Sequence, residues 1–358
     1  MPVFDRIEAD DYEQVVFCHH RPSGLRAIVA VHSTALGPAL GGTRFYPYAS
    51  EEDAFTDVLR LAKGMTYKAA MAGLDLGGGK AVILGDPARD KTEAMLRAFA
   101  RYVDTLGGRY ITAEDVGTTQ ADMDLIRRET RWVTGVSQSL GGSGDPSVAT
   151  ATGLFYAMKA TAHHRWGDGS LEGRHVAVAG VGKVGYAVVR HLVEERARVT
   201  VADTVPAAVE RAVNDFEVES APVESIHTLD CDIYAPCALG GILNEATIPQ
   251  LRCAVVCGCA NNQLLAGDTD AKALAESGIL YAPDYVVNAG GIINISEELR
   301  GYNQQRAEEG LRRVYDNTLA VLERAAADGI TTAAAADRLA EARIEAVGRL
   351  GLIRPPSR

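Results

Sequence analysis

Two neighbouring runs of apolar and β-branched residues near the start of the chain predict a β-hairpin at residues 14–33. Its two runs, EQVVFCHH and LRAIVAVHS, are rich in β-branched and apolar residues, and the turn sequence RPSG separates them. The segment 36–48 is rich in glycine and proline, so we expect an irregular loop there. Residues 51–64 begin with acidic residues and then carry apolar residues at helical spacing, which predicts a helix that ends at Gly64.

Two short apolar runs with a helix between them complete this first region. Residues 80–86 predict a buried strand that leaves a glycine loop at 77–79, and an amphipathic helix follows it. Residues 109–117 predict a strand that ends in the acidic pair Glu114-Asp115.

The second half of the chain alternates apolar strands with helical segments, which is typical of a parallel sheet covered on both faces. The predicted strands lie at 174–179, 198–203, 231–238, 253–260 and 278–288. From residue 294 onward the pattern is helical. We therefore predict an α/β protein of two domains. The first domain comprises residues 1–135 and the C-terminal helix 331–358, and the second comprises residues 136–330.

The segment GVGKVG at 180–185 joins the first strand and helix of the second domain with the G-x-G-x-x-G spacing of a dinucleotide-binding loop. Its first two glycines permit a tight turn and close approach of a pyrophosphate, and the third lets helix and strand pack. Asp203 ends the next strand, where it would accept hydrogen bonds from ribose hydroxyls and repel a 2′-phosphate. We therefore predict a Rossmann-type domain that binds NAD. The candidate cofactor-binding residues of this region are Gly180, Gly182, Lys183, Val184, Gly185 and Asp203.

The first domain carries a second glycine run, 77–79, which ends in Lys80. A ligand can lie directly against glycine backbone, and burial disfavours the ammonium form of a lysine. A partly neutral lysine is a general base or an amine nucleophile. A lone run of this kind more often ends in a solvated lysine. Here Lys68 lies twelve positions upstream and Asp115 follows, so the combination favours a catalytic site.

Composition and charge exclude several classes of partner. The 358 residues are 47% hydrophobic and 23% charged, as in globular proteins, and the net charge of -11 argues against nucleic-acid binding or an anionic membrane surface. No apolar run is long enough to span a bilayer, and the polar N-terminus does not resemble a signal peptide. The six cysteines lack the paired spacing of a zinc site, so we predict no metal and a cytoplasmic location.

The motifs ALGGTRFYPY, GMTYKAAMAGLDLGGGKAVI, AEDVGT, GVGKVG, DIYAPCALGG, ANNQL and YAPDYVVNAGG occur in that order along the chain. Together they resemble the glutamate/leucine/phenylalanine/valine dehydrogenase family, and its branched-chain members most of all. The resemblance implies a homo-oligomer with an active-site cleft between its two domains. It also implies the reversible conversion of an L-amino acid, NAD and water into a 2-oxo acid, ammonium and NADH.

The resemblance also implies a role for each matching residue. Lys68 would bind the substrate carboxylate, Lys80 would be the general base that activates water, and Asp115 would carry protons to and from the amine nitrogen. The glycines that would let substrate and nicotinamide approach are Gly41, Gly42, Gly77 and Gly78. Residues that would contact the cofactor are Thr150, Ala260 and Asn262, and Asn288 would contact the substrate.

The implied side-chain pocket is apolar. Glutamate-specific relatives carry a lysine at the position of Leu40, and a leucine cannot pair with a distal carboxylate. The other implied pocket residues are Ala113, Ile292 and Ile295, and the bulky isoleucines favour small branched side chains over phenylalanine. All four could instead be ordinary core residues. Phenylalanine dehydrogenase is the alternative enzyme, and a non-catalytic NAD-binding regulator is the alternative outside catalysis.

Overall fold

The structure is a computed structural model, and it describes residues 3–349. The chain forms two compact units. Unit 1 takes in the chain up to Asp145, the segment Ile295–Gln304 and the chain from Ala340 onward. Unit 2 comprises Pro146–Asn294 and Gln305–Leu339.

Strands and helices alternate along most of the chain. The strands are β1 (Gln14–His20), β2 (Leu25–Ser33), β3 (Ala39–Tyr46), β4 (Gly77–Leu84), β5 (Tyr110–Glu114), β6 (His175–Ala179), β7 (Arg198–Ala202), β8 (Glu219–Ser220), β9 (Asp230–Pro236), β10 (Arg252–Val256) and β11 (Leu280–Tyr281). The helices are α1 (Val3–Glu8), α2 (Glu51–Met71), α3 (Glu93–Thr105), α4 (Gln120–Arg127), α5 (Pro146–Trp166), α6 (Lys183–Glu194), α7 (Pro206–Phe216), α8 (Asp268–Glu276), α9 (Asp284–Val287), α10 (Gly290–Ser296), α11 (Gln304–Asp328) and α12 (Thr332–Gly348).

Unit 1 contains a mixed sheet with strand order β1-β2-β4-β3-β5. The predicted hairpin is confirmed, because β1 and β2 pair antiparallel, and β3 lies parallel to both β4 and β5. Residues along β2 alternate between two cores: Val29 packs with α3 and α4, whereas Ile28 and Ala30 pack with α2. This two-residue alternation follows from strand geometry, so each face of the sheet is covered by helices.

Three local predictions for unit 1 are wrong, and the close packing of α2 on β4 explains two of them. The glycine run at 77–79 begins strand β4 instead of forming a loop, and the segment 36–48 is mostly strand β3. Helix α2 continues through Gly64 to Met71. A Cβ at Gly78 would overlap the backbone nitrogen of Thr66, so glycine lets α2 lie directly against β4. Tertiary packing therefore outweighs the weak intrinsic preference of glycine for turns.

Unit 2 contains a parallel sheet with strand order β11-β10-β9-β6-β7-β8. In chain order within the unit this is 6-5-4-1-2-3, the doubly wound arrangement in which ligands bind where the order reverses, between β6 and β9. The predicted two-domain α/β fold class is confirmed. The predicted strand at 278–288 is shorter than expected, because Pro283 caps α9 and ends the extended segment after Tyr281.

The boundary between the units differs from the predicted one near residue 135. The carboxylate of Glu298 accepts hydrogen bonds from the backbone N–H groups of Gly135 and Ser143, at 2.9 and 2.8 Å. These bonds attach the loop that follows residue 135 to unit 1, which runs to Asp145.

The C-terminal helix also differs from the prediction, which placed all of residues 331–358 in the first domain. Within unit 2, the Thr332 hydroxyl donates to the carbonyl of Tyr281 at 2.6 Å. Within unit 1, Arg343 donates to the carbonyl of Leu74 at 2.7 Å. The part of α12 before residue 340 therefore belongs to unit 2, and residues 350–358 lie outside the described range.

Among the helices of residues 3–349, none combines the length and the apolar character that crossing a membrane requires. Within the same range, no three His, Cys, Asp or Glu side chains are grouped so as to hold a metal ion.

A pair of glycine substitutions tests whether α2 depends on glycine in the facing strand. Gly78→Ala should lower the free energy of unfolding by about 1–3 kcal/mol or more, because the added methyl group overlaps backbone that cannot move freely. Gly64→Ala is the matched control in α2, since a Cβ there meets nothing within 4 Å. It should leave stability unchanged or raise it by up to about 1 kcal/mol. Urea unfolding measures both, and equal effects would contradict the packing explanation.

Candidate active site

The predicted catalytic residues of unit 1 share the face of the sheet that α2 covers. On β4, Ala81 and Ile83 pack against α3 and α4 while Val82 packs against α2, so Lys80 points to the α2 face. The same alternation applies to β3 and β5, because register pairs in parallel strands share a face. The residues it places on the α2 face are Leu40, Gly42 and Arg44 of β3, Ala113 of β5, and Asp115 directly after β5.

Lys80 and Asp115 form a close ion pair on this face. The Lys80 Nζ atom lies 2.7 Å from Asp115 Oδ2, and the two side chains are only 7% and 19% exposed. A lysine this deeply buried requires a counter-ion, because an isolated buried charge is very costly. The structure therefore brings together the two residues that the sequence predicts as base and proton carrier.

A third charged residue, Arg44, contacts the same carboxylate. Its Nε atom lies 3.1 Å from Asp115 Oδ2, and its Nη1 atom lies 2.8 Å from Asp57 Oδ2. The Tyr48 hydroxyl donates to that Asp57 oxygen at 2.7 Å. Sequence reasoning missed Arg44, although it stands in the motif ALGGTRFYPY two positions after Gly42, on the same face of β3. The group thus contains two cations and two carboxylates.

The two cations set the protonation state of Asp115. Burial by itself would raise the pKa of this carboxyl group, but the charges of Lys80 and Arg44 outweigh that effect. Hydrogen bonds from Lys80 and from the backbone at Val116 act in the same direction, and the pKa falls to about 2. Asp115 is therefore an ionised hydrogen-bond acceptor throughout the neutral range.

Lys68 lies in the last turn of α2, where it is half-buried. Its predicted role in binding the substrate carboxylate stays a prediction. The helix continues beyond it to Met71, so Lys68 does not follow the helix end as predicted.

The glycines of unit 1 are explained by contacts inside the protein. An added Cβ at Gly41 would overlap the carbonyl oxygen of Gly79, and one at Gly77 would overlap that of Ser33. At Gly42 it would lie 2.5 Å from the Glu114 carbonyl oxygen. Packing of protein backbone is thus sufficient to require glycine at these positions, and their predicted role in ligand approach stays a prediction.

In unit 2, the glycine loop lies where the strand order of the sheet reverses. Gly180 follows β6 with a φ of +106°, a value that favours glycine, and an added Cβ would lie 2.7 Å from the Cβ of Ala238, just after β9. A Cβ at Gly185 would overlap the Gly180 carbonyl, as expected of the glycine that lets helix and strand pack. Gly182 is exposed and open around its Cβ position, directly before Lys183 and Val184 begin α6.

Asp203 follows β7 and holds the glycine loop in place. Its Oδ2 atom accepts the backbone N–H of Val181 at 2.8 Å, and its Oδ1 atom accepts that of Val205 at 2.9 Å. The open helix N-terminus and the adjacent carboxylate are the features that hold a dinucleotide in folds of this type, so these residues fit the predicted cofactor.

The remaining predicted residues of unit 2 lie at the ends of strands or on helices. The Thr150 hydroxyl donates to the carbonyl of Pro146 at 3.0 Å, within the first turn of α5. Ala260 is buried, and its N–H donates to the carbonyl of Pro236 at 2.9 Å. Asn262 is exposed and has a positive φ of 52°.

Asn288 is a polar residue of unit 2 with a buried acceptor. Its Nδ2 atom donates to the Cys259 carbonyl at 3.1 Å and to Asn261 Oδ1 at 2.8 Å. Its own Oδ1 atom is buried without a hydrogen-bond partner among residues 3–349, so it can accept from a ligand. Ile292 and Ile295 lie one turn apart on α10, the first buried and the second half-buried.

Comparison with known proteins agrees with this geometry. The family model described as "Glu/Leu/Phe/Val dehydrogenase, dimerisation domain" matches residues 12–132. The model described as "Glutamate/Leucine/Phenylalanine/Valine dehydrogenase" matches residues 141–210 and 200–349. The chain belongs to the glutamate/leucine/phenylalanine/valine dehydrogenase family. It is thus related to NAD(P)-dependent oxidoreductases that act on amino acids.

Individual members of the family are similar over almost their whole length. The leucine dehydrogenase of Geobacillus stearothermophilus is 56% identical over 96% of this chain and 94% of that protein. The valine dehydrogenase of Streptomyces virginiae is 56% identical over 93% of this chain and 94% of that protein. The crystal structure of L-tryptophan dehydrogenase from Nostoc punctiforme is 44% identical, with a TM-score of 0.85 over 97% of this chain and 99% of that one.

The depressed pKa of Asp115 predicts a specific pH dependence of stability for this family member. Because the folded-state pKa of about 2 lies below the ordinary 3.8, the carboxylate stabilises the fold fully above pH 4 and loses this contribution as the pH falls towards 2. At about 1.4 kcal/mol per pKa unit, the contribution is about 2 kcal/mol. Asp115→Asn should remove it.

The measurement is the difference in unfolding free energy between the unchanged protein and Asp115→Asn, from urea titrations between pH 7 and pH 2.5. The difference should be constant down to about pH 5 and shrink below pH 4. A difference that does not change with pH would contradict the assignment of Asp115 as an ionised group.

Proposed function

We propose that the protein catalyses the reversible NAD-dependent oxidative deamination of a branched-chain aliphatic L-amino acid. Water is consumed, and the products are the 2-oxo acid, ammonium, NADH and a proton. The observation that carries this proposal is the buried Lys80–Asp115 pair at 2.7 Å, in a chain that also has a dinucleotide-binding loop at 180–185. The 56% identity to a leucine and a valine dehydrogenase supports the same reaction and substrate class.

The head group of the amino acid is bound by residues of unit 1 in this proposal. Lys68 binds the substrate carboxylate as a fixed cation. Asp115, ionised at neutral pH, accepts a hydrogen bond from the substrate amine and draws a proton away from the nitrogen. A carboxyl group with a pKa of about 2 cannot retain that proton, and Lys80 at 2.7 Å is the neighbouring group that can receive it.

Lys80 is the general base for the hydrolytic half of the reaction. Oxidation of the amine yields an imine of the substrate, and water must attack its carbon before ammonium can leave. Once the amine proton has passed from Lys80 to solvent, Lys80 is again a base and takes the proton of that water, and its burial beside Asp115 fixes its position. Asn288, with its unpaired buried oxygen, is the residue of unit 2 that we assign to substrate binding.

The dinucleotide would be held by the loop 180–185, by Asp203 and by the group Thr150, Ala260 and Asn262. When bound, it supplies the acceptor for the hydrogen on the substrate Cα. Asp203 supports NAD over NADP, because its carboxylate stands at the end of β7 where a 2′-phosphate would be repelled.

Apolar residues support an aliphatic substrate. Leu40 and Ala113 are buried on the α2 face of the sheet, where a glutamate side chain would have its carboxylate unpaired. The family resemblance also assigns two apolar residues, Ile292 and Ile295, to substrate binding. Because one methylene group changes binding by only about 1–3 kcal/mol, we expect valine, leucine and isoleucine all to react.

We also infer that the protein acts as a homo-oligomer, since residues 12–132 match a dimerisation domain. A cytoplasmic location stays a prediction from the sequence.

A substrate panel tests the proposed reaction. NADH absorbance should appear at alkaline pH with L-valine, L-leucine and L-isoleucine, with kcat/KM at least about tenfold above that for L-phenylalanine. NAD should be preferred over NADP for the same substrates. A higher kcat/KM for L-phenylalanine would favour the alternative, phenylalanine dehydrogenase. No turnover with any aliphatic or aromatic L-amino acid would refute the proposal.

Replacement of Lys80 separates an enzyme from an NAD-binding regulator. Lys80→Ala should reduce kcat by about 100-fold or more, because general-base catalysis contributes about 10²–10⁴. The affinity for NAD, measured by fluorescence quenching, should stay within a factor of about two, since the dinucleotide residues lie on unit 2. Lys63→Ala is the matched control, because Lys63 lies on the surface of α2 and pairs with Asp10. Equal effects of the two substitutions on kcat would contradict the role of Lys80.

A further inference from the structure

Arg44 joins two carboxylates that lie on different elements. Its Nε atom contacts Asp115, directly after β5, and its Nη1 atom contacts Asp57 of α2. The Arg44 side chain is 21% exposed and that of Asp57 is 14% exposed, so both charges are largely removed from water. An arginine so placed cannot move away without leaving two carboxylates poorly compensated.

The far side of Arg44 is held in place by further bonds to Asp57. The Tyr48 hydroxyl donates to Asp57 Oδ2 at 2.7 Å, and Arg60 Nη2 lies 3.2 Å from Oδ1. Because Asp57 is fixed by these partners and by helix α2, the guanidinium group of Arg44 has a fixed direction towards Asp115. This is the arrangement expected of a residue that orients another.

Arg44 and Lys80 contact the same oxygen of Asp115, but only one of them can keep its charge during the proposed reaction. Lys80 must be neutral whenever it acts as a base, and at that moment it no longer compensates Asp115. A guanidinium group does not deprotonate in proteins, so Arg44 remains a cation throughout. Without it, a buried carboxylate would face a neutral amine and would tend to take up a proton itself.

We propose that Arg44 is a positioning residue that keeps Asp115 ionised and oriented while Lys80 releases and regains its proton. This inference rests on the proposed function, because it assigns Lys80 the part of a base. It adds a residue that acts through Asp115, whose carboxylate it contacts. Asp57 and Tyr48 support the same role: Asp57 binds the guanidinium group of Arg44, and the Tyr48 hydroxyl donates to Asp57.

Other titratable groups near Asp115 do not replace Arg44. Tyr110 of β5 is buried, which raises the pKa of its hydroxyl group, and it donates to the Gly41 carbonyl at 2.6 Å. Helix α2 also carries the charged residues Asp57, Arg60, Lys63 and Lys68. Asp57 and Arg60 pair with one another, and Lys63 pairs with Asp10. Arg44 is a permanent cation in hydrogen-bond contact with Asp115.

The first test is the pH profile of kcat/KM for L-valine in Arg44→Gln and Arg44→Lys. An opposite charge at this distance lowers a carboxyl pKa by about 1–3 units. The acid limb of the profile reports the protonation of the Lys80–Asp115 pair as a whole, and loss of the neighbouring cation favours the protonated pair, so in Arg44→Gln the limb should move to higher pH by about one unit or more. Arg44→Lys keeps the charge and should move it less. Arg26→Gln is the matched control, because Arg26 of β2 also pairs with a carboxylate of α2, Glu51, but lies on the surface.

A uniform loss of kcat/KM in Arg44→Gln, without a shift of the acid limb, would mean that Arg44 is merely structural and would overturn the proposal. So would a shift of equal size in Arg26→Gln.

The second test needs no turnover, so it separates this inference from the proposed function. The loss of stability caused by Asp115→Asn is measured against pH in the unchanged and the Arg44→Lys backgrounds, and in Arg44→Gln where that variant folds. The pH at which the Asp115 contribution disappears should be higher in each Arg44 variant than in the unchanged protein. The same pH in all backgrounds would overturn the role of Arg44, even if the enzyme reaction is confirmed. A shift without any amino-acid turnover would support the charge role and refute the reaction.

Discussion

A buried ion pair between Lys80 and Asp115 is the interaction on which the rest of unit 1 depends. These two charged side chains are largely removed from water, so each needs ion-pair and hydrogen-bond partners that offset its lost hydration. The fold achieves this by taking Lys80 from β4, Asp115 from the end of β5 and Arg44 from the strand between them, β3. Parallel neighbouring strands bring these side chains to one face of one sheet.

Helix α2 covers that face of the sheet, and a glycine in β4 lets the helix backbone lie close to the strand. Gly78 allows the helix backbone at Thr66 to lie against the strand, and the same helix supplies Asp57 as the second partner of Arg44. The position of α2 against the sheet therefore determines both the packing at Gly78 and the contact of Asp57 with Arg44. In unit 2, Asp203 holds the glycine loop beside the N-terminus of α6, and a helix N-terminus is where folds of this type bind a phosphate group.

Local signals explain which parts of the molecule could be predicted from the sequence. The loop 180–185 and Asp203 lie within a short strand-helix-strand segment, so local spacing is enough to predict that β6, α6 and β7 follow one another there. The glycine run at 77–79 does not form the predicted loop, because turn preference describes a chain without neighbours, whereas β4 is paired on both sides. Pairing with β2 and β3 and packing against α2 keep these glycines in an extended strand, which glycine does not favour by itself.

Contacts between distant parts of the chain account for what could not be predicted. Arg44 and Asp115 are 71 positions apart, and Glu298 binds a backbone group 163 positions away at Gly135. Hydrophobic periodicity and motif spacing describe neighbouring residues, so they do not predict contacts between residues this far apart in the sequence. The sequence predicts Lys80 and Asp115 as site residues, whereas Arg44 is found only from its contacts with Asp115 and Asp57 in the structure.

The most direct test of the central claim is chemical rescue of Lys80→Ala by small primary amines. If Lys80 is the base beside Asp115, added amines should restore deamination of L-valine, and the restored rate should rise with the basicity of the amine. The account is contradicted if folded Lys80→Ala that still binds NAD shows no rescue by amines of any basicity, or if it needs none because its turnover equals that of the unchanged protein.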